Sequence, residues 1–165
     1  MASDSQFDLR PATPADRDSI IALIDRVYRE YGDRICLDDA DADLLDISAS
    51  YREFGGEFVV LANDDEVVGT HAVRETEQPG VCTFRRLYLE SDLRGGDWGA
   101  RLMEWAVEWS KTRGFERVEF WSDTRFERAH RFFQRLGFTQ SGSVRHLDDG
   151  WEPYSEFFFF RDLSS

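Results

Sequence analysis

The stretch Leu87-Tyr88-Leu89-Glu90-Ser91-Asp92-Leu93-Arg94-Gly95-Gly96-Asp97-Trp98-Gly99-Ala100 constrains the fold more than any other part of the chain. Leu87, Tyr88 and Leu89 end a run of strand-forming residues. Gly95, Gly96 and Gly99 follow, and Leu102, Trp105, Ala106 and Trp109 then recur at helical spacing. The order is strand, tight glycine-rich turn, helix. Such a turn aims the free N–H groups of the first helical turn, and the positive end of the helix dipole, at one point. That point suits a phosphate or pyrophosphate, because glycine lets the phosphate reach the backbone. An ordinary strand-to-helix turn has the same outline, so this stretch alone leaves both readings open. No Gly-Lys-Ser/Thr follows, which excludes a Walker loop, and the glycine spacing is not that of a dinucleotide-binding fold.

Residues 7–10 read as a short strand. Thr13 as cap, Pro14 at the first helical position and Asp16 near the positive end start a helix. Ile20, Ile24, Val27 and Tyr31 repeat along it, and Gly32 stops it. A second helix is predicted over residues 40–51, with Leu44, Ile47 and Tyr51 on one side. The carboxylates around its start (Asp38, Asp39, Asp41, Asp43) read as a solvated helix N-terminus in preference to a cation site. Residues 57–62 and 66–73 form a hairpin about Asn63-Asp64-Asp65, and Gln78-Pro79-Gly80 turns into a strand over 81–89. A helix over 98–113 and a strand over 117–121 come next. Thr124 and Glu127 suggest a capping box for a helix that buries Phe126, Ala129, Phe133 and Leu136 and ends at Gly137. Strands over 138–145 and 154–161 close the chain. The run Phe157-Phe158-Phe159-Phe160 needs cover on both faces, so its strand is central or sits at a homodimer contact. Alternating strands and helices in the second half predict a mixed sheet with helices on both faces.

The length of 165 residues fits one domain, with residues 1–6 as a flexible N-terminus. A net charge of −13 argues against nucleic acid or an anionic membrane as partner. Lys111 is the sole lysine, a bias that suits a salt-adapted cell and equally a GC-rich genome. No apolar run reaches membrane-spanning length, and the first residues lack a signal-peptide pattern, which together predict a cytoplasmic protein. Cys36 and Cys82 read as reduced, buried thiols. No spacing of His, Cys and carboxylates suggests a metal site.

The glycine-rich turn resembles the coenzyme A loop of the GNAT acetyltransferase superfamily, Gln/Arg-x-x-Gly-x-Gly/Ala, with Arg94 at the first position and Gly99 at the last. Some forty residues on, Ala129-His130-Arg131-Phe132-Phe133-Gln134-Arg135-Leu136-Gly137-Phe138 resembles its second signature, Ala-x-x-x-Tyr-x-x-x-Gly-Phe. The resemblance implies the α/β (α+β) GNAT fold over residues 7–163, a splayed, mixed seven-stranded sheet with about four helices. It implies acetyl-CoA as cosubstrate and a primary amine of a small or amino-acid-like molecule as acceptor, attacking directly without a covalent enzyme intermediate. A protein or peptide acceptor, or a non-catalytic acyl-CoA sensor, are the alternatives. The pantetheine arm would enter a gap beside Leu87, Tyr88 and Leu89. The pyrophosphate would rest on Arg94, Gly95, Gly96, Asp97, Trp98, Gly99 and Ala100, and Asp123, Phe126 and Phe133 would line the far side. An N–H near Leu87 would polarise the thioester carbonyl.

Three residues depart from the superfamily pattern. Asp97 replaces the middle glycine and is expected to face solvent and cap the following helix. Phe133 stands where relatives carry the tyrosine that protonates the leaving thiolate; Phe cannot donate, so water or another group takes that part, with Tyr88 and Tyr154 as fallback donors on position alone. Thr83 stands where several relatives carry a glutamate base. Glu75 is the substitute base expected from position, with Glu77, His71 and Asp123 as further candidates. His71 is otherwise read as a half-buried strand residue, His130 as a helix-surface residue and His146 as a turn residue.

Overall fold

Seven strands make one sheet in the order β1-β2-β3-β4-β5-β7-β6 in a computed structural model that describes residues 6–163. The strands are β1 (Asp8–Pro11), β2 (Glu57–Asn63), β3 (Glu66–Glu75), β4 (Val81–Leu89), β5 (Arg117–Asp123), β6 (Thr139–Leu147) and β7 (Tyr154–Asp162). The helices are α1 (Arg17–Arg29), α2 (Ile47–Ser50), α3 (Trp98–Thr112) and α4 (Glu127–Arg135). All neighbours run antiparallel except β4 and β5, which are parallel. The sheet is thus mixed and four helices flank it, as the resemblance implies. Of the residues expected to be a flexible N-terminus, 1–5 lie outside the described residues.

Because strand side chains alternate, β2 feeds two cores. Phe58, Val60 and Ala62 pack on Ile20, Leu23, Ile24 and Val27 of α1. Val59 and Leu61 pack on Trp98 and Leu102 of α3. Further along that second face, Phe84, Val118, Phe120 and Phe159 meet Met103, Ala106, Val107 and Phe133. The phenylalanine run lies in β7, between β5 and β6, so its strand is internal to the sheet. Phe159 and Phe157 meet His130 of α4, Phe158 lies 5.1 Å from Trp121, and the Arg117 guanidinium lies 4.2 Å over Phe160.

The entry to α1 departs from the expected cap. The Asp16 carboxylate, not the Thr13 hydroxyl, is the acceptor: it takes Thr13 N–H at 2.7 Å, Thr13 Oγ1 at 3.1 Å and both Arg10 amino groups at 2.7 and 2.9 Å. The Arg10 hydrogen bonds hold this carboxyl at a pKa of about 2.

The second helix is broken into short turns, Ala42–Leu45, α2 and Arg52–Phe54. The cause lies in the carboxylates read as solvated. Asp41 and Asp43 turn inward to Arg86, at 2.8 and 2.5 Å, and Asp46 caps α2 by accepting from Ala49 N–H at 3.1 Å. A regular helix over residues 40–51 would have to give up that inward turn.

Only two residue pairs join β4 to β5: Val81 with Arg117 and Cys82 with Val118. Beyond Cys82 the two strands part. In the same strand, two residues, Arg86 and Leu87, oppose the single His71 of β3, since the register passes from Thr70–Tyr88 to Ala72–Arg85. Arg86 takes a positive φ of 61°, rare outside glycine, at this bulge. The buried ion cluster holds it there.

Candidate active site

A cavity of about 570 Å³ opens through the split. On the α3/α4 side it is walled by Phe84, Leu87, Met103, Phe120, Ala129 and Phe133. On the other side it reaches Arg85, Arg86, Glu119, Trp121, Phe158 and the segments around Arg34 and Trp151. The far end is roofed by two segments that clasp each other. Ala40 N–H donates to Asp149 O at 2.9 Å, the Arg34 guanidinium lies 3.1 Å over the Trp151 ring, and Arg125 bridges to Asp33 at 2.9 Å. Six arginines and six carboxylates line the cavity, a balanced wall in a chain of net charge −13.

The glycine-rich loop lies beyond the end of β4. Arg101 N–H closes the first bond of α3 on Asp97 O at 3.0 Å, and the N–H groups of residues 95–100 donate to no backbone carbonyl among the described residues. They are the unclaimed donors of a helix start. The Arg94 guanidinium does not face them. It donates to Leu89 O at 2.9 Å and, in a fork, to both Glu30 oxygens at 2.6 and 2.7 Å, lashing the loop to β4 and α1. Asp97 is exposed, as expected, but its side chain makes no cap bond. Gly95 sits at φ 87°, and a Cβ there would lie 3.2 Å from Arg128 Nη2. A Cβ on Gly99 would lie 3.6 Å from the Phe132 ring. Glycine therefore keeps a shallow cradle open between the loop and α4. Arg128 is an exposed cation at its edge that sequence spacing did not flag.

Of the expected lining residues, Leu87, Tyr88, Asp123, Phe126 and Phe133 border the cavity, whereas Leu89 and the loop residues do not. Phe133 is buried against Phe120, at 4.9 Å, and Phe159, at 5.4 Å. The Tyr88 hydroxyl is held 3.2 Å from the Tyr28 hydroxyl, and burial raises its pKa. Asp123 is engaged by Arg125 at 2.6 Å and accepts from Arg125 N–H at 2.9 Å, which replaces the expected Thr124–Glu127 capping box at the start of α4. Tyr154 donates to Asp149 at 2.6 Å.

Glu75 falls outside the cavity. Strand alternation sends Arg74 to the lining and leaves Glu75 exposed beside Gly55, where a Cβ would meet its carboxyl at 2.5 Å. Glu77 is exposed too. His71 is fully buried, not half-buried. Its Nδ1 lies 3.2 Å from Arg85 O, which makes it the protonated nitrogen, and its Nε2 has no partner among the described residues. Burial pushes its pKa down to about 4, so it is neutral at physiological pH and a poor base. His130 is buried, not on the surface, 3.1 Å from Ser122 Oγ. His146 belongs to β6, not a turn, and lies 2.6 Å from Ser155 Oγ.

Glu119 is the carboxylate the sequence reading missed. Cys82 and Val118 are the last pair before the split and share the α3 face, so the next residues, Thr83 and Glu119, share the other face across the opening. The other lining carboxylates are all held: Asp33 and Asp123 by Arg125, Asp41 by Arg86, Asp149 by Tyr154, Glu156 by Arg145. Glu119 makes no hydrogen bond among the described residues, and its nearest cation is Arg117 at 3.7 Å.

A sheet split beside a bulge, with an open helix start at one end of the cleft and a chamber lined by charged side chains at the other, offers room for an extended anionic ligand along β4 and a second molecule beyond it. A family model described as "Acetyltransferase (GNAT) family" matches residues 19–138. The aminoalkylphosphonate N-acetyltransferase of Salmonella typhimurium is 30% identical over 139 residues, covering 81% of this chain and 86% of that one. An uncharacterized N-acetyltransferase of Methanocaldococcus jannaschii is 26% identical, over 88% of this chain and 64% of its own. A GNAT-family acetyltransferase of Staphylococcus aureus superposes with a TM-score of 0.82 at 19% identity, over 96% of this chain and 99% of that one. The chain belongs to the GNAT acetyltransferase family, enzymes of acetyl-CoA-dependent N-acetylation.

Proposed function

We propose that the protein acetylates the primary amine of a small molecule, with the thioester in the split between β4 and β5 and the amine arriving from the roofed chamber. The observation that carries this reading is the parting of β4 and β5 just past Cys82, which leaves the bulged edge of β4 open to a ligand. The donor set fits acetyl-CoA. The open N–H groups of residues 95–100 and the Arg128 cation suit a diphosphate, and the apolar wall of Leu87, Phe84 and Phe120 suits the pantetheine arm. The Salmonella relative's name concerns aminoalkylphosphonates, which supports a small acceptor.

An alkylamine has a pKa near 10, so at neutral pH about one molecule in a thousand is unprotonated. Glu119 takes the proton as the amine enters, because it is the lining carboxylate with no hydrogen bond to give up. The nitrogen lone pair then forms the C–N bond at the thioester carbon, the C–S bond breaks, and the sulfur leaves as thiolate. Phe133 supplies no proton. With a thiol pKa near 8.5, the thiolate leaves without an obligatory acid and is reprotonated by the proton the amine sheds.

A thiol-release assay with acetyl-CoA and a panel of amines tests this. The expected outcome is amine-dependent release with an N-acetylated product by mass spectrometry. Glu119→Gln should lower kcat by about 10² or more at neutral pH, with acetyl-CoA affinity unchanged and the deficit shrinking as pH rises toward the amine pKa. Tight coenzyme binding with no turnover of any amine would instead favour the sensor reading.

A further inference from the structure

Arg74 and Arg85 have no role in the chemistry above, yet both line the cavity. Thr83 is paired with Arg74 and Ala72 with Arg85, so the two arginines are diagonal neighbours across β3 and β4. Both point to the α2 face, where Ala72 packs and where the Arg74 guanidinium lies 5.9 Å from the Tyr51 ring. Two guanidiniums so placed repel unless an anion lies between them. The nearest carboxylate is already committed. Asp43 receives Arg86 Nη2 at 2.5 Å, Arg86 Nε at 3.1 Å and the Tyr51 hydroxyl at 2.5 Å. Among the described residues the Arg74 guanidinium donates only to Ser50 O, at 3.3 Å, and otherwise rests on the Tyr51 and Phe54 rings. The Arg85 guanidinium makes no hydrogen bond or ion pair among the described residues. Burial, and then the charge of Arg85, lower the pKa of Arg74 against the opposing pull of Asp43, a carboxylate that Arg86 and Tyr51 already hold. In a chain with 33 carboxylates and 20 basic residues, such a pair on a cavity wall is a specific placement.

The row across the sheet gives the pair its use. Arg74 opposes Thr83, and Thr83 lies across the split from Glu119, so an anion reader and a proton acceptor flank one small side chain. Paired strands lie about 4.8 Å apart, so Arg74 and Thr83 are one strand spacing apart, and Glu119 stands at the start of the split, one residue past the last β4–β5 pair. We infer that the acceptor is a short primary amine carrying an anionic group, a phosphonate, phosphate or carboxylate, which Arg85 and Arg74 hold so that its amine meets Glu119. This rests on the reading of the chamber as the acceptor site. A planar guanidinium binds such oxyanions by two parallel hydrogen bonds, and a second one on the same face fixes their orientation.

The test compares 2-aminoethylphosphonate, β-alanine and n-propylamine as acceptors for the intact protein and for Arg85→Gln. The expected result is a kcat/KM for at least one anionic amine about tenfold or more above propylamine. Arg85→Gln should erase that preference through KM, leaving the propylamine rate, the acetyl-CoA KM and the melting temperature unchanged. Arg85→Lys should restore part of it. The relative rates of phosphonate and carboxylate identify which anion is read. Equal use of propylamine, or an equal loss on all three amines in Arg85→Gln, overturns the inference while acetyl transfer stands. Calorimetry of 2-aminoethylphosphonate and β-alanine on the acetyl-CoA-loaded chain separates the two readings. Arg85-dependent binding of either without turnover would overturn acetyl transfer and keep the anion site, and binding of neither would overturn the anion site.

Discussion

Arg86→Leu removes the cation of a buried cluster, and its cost follows from what remains. The side chains of Arg86, Asp41 and Asp43 are 6, 4 and 10% exposed, and among the described residues this guanidinium is the ion-pair partner of both carboxylates. Removing one partner of a buried pair costs about 3–5 kcal/mol, since it strands uncompensated charge. For a chain of this size that lowers Tm by about 10 °C. The dependence on pH gives the sharper test. In the native protein burial pushes the Asp43 carboxyl up, but the Arg86 charge and hydrogen bonds, with Arg85 and Tyr51, outweigh it and leave the pKa below the usual range. Its contribution is therefore present above an unfolded pKa of about 4, and is lost only as pH falls through the depressed folded value. Without Arg86 the same burial raises the Asp43 carboxyl, so the folded state binds a proton the unfolded state releases. The penalty then grows with pH above about 4. Urea unfolding followed by tryptophan fluorescence at about pH 8 and about pH 5.5 should show a deficit at least about 1 kcal/mol smaller at the lower pH. Asp43→Asn added to Arg86→Leu should recover part of the loss. A deficit below about 1 kcal/mol, or one independent of pH, would refute the reasoning.

Arg128→Glu places a carboxylate at the edge of the Gly95 cradle and should weaken acetyl-CoA binding about tenfold at low salt, with Tm unchanged; calorimetric titration against a melting curve checks it. Asp16→Asn removes a carboxylate whose folded pKa, lowered chiefly by the Arg10 hydrogen bonds, is about 2. It should cost about 2 kcal/mol above pH ~4. The native protein's advantage should vanish as pH falls toward 2, because the depressed group is then protonated in both states, and acid titration of both proteins by circular dichroism measures this.

The strands and the large helices were legible because their signals are local. Period-two runs, the turns at Gly80 and Asn63-Asp64-Asp65, and the stops at Gly32, Gly114 and Gly137 all sit within a few residues of what they control. The loop before α3 was legible for the same reason. What failed was decided at long range. Asp41 and Asp43 look like surface charge until Arg86, 45 and 43 residues further along the chain, turns them inward. Glu75 and Glu119 are alike in sequence, and the pairing of β3 on β4 and of β4 on β5 together decides which one faces the cavity. Arg128 becomes a neighbour of Gly95 only when α4 docks beside the loop. His130 sits on a helix that reads as strongly two-sided, yet its partner Ser122 belongs to β5. The alternation of charge along residues 38–43 did carry a usable signal, since carboxylates at i and i+2 do not share one helix face.

Two residue pairs are a thin seam for a seven-stranded sheet. Strands β1 to β4 and strands β5 to β7 are in effect two plates, riveted at Val81 and Cys82 and propped apart at the Phe84–Phe120 stack, 6.2 Å between ring centres. A guest that bonds to one plate and packs on the other completes the sheet by proxy. It binds the folded chain alone, so the protein should be most robust when charged with its carrier and least so just after product leaves.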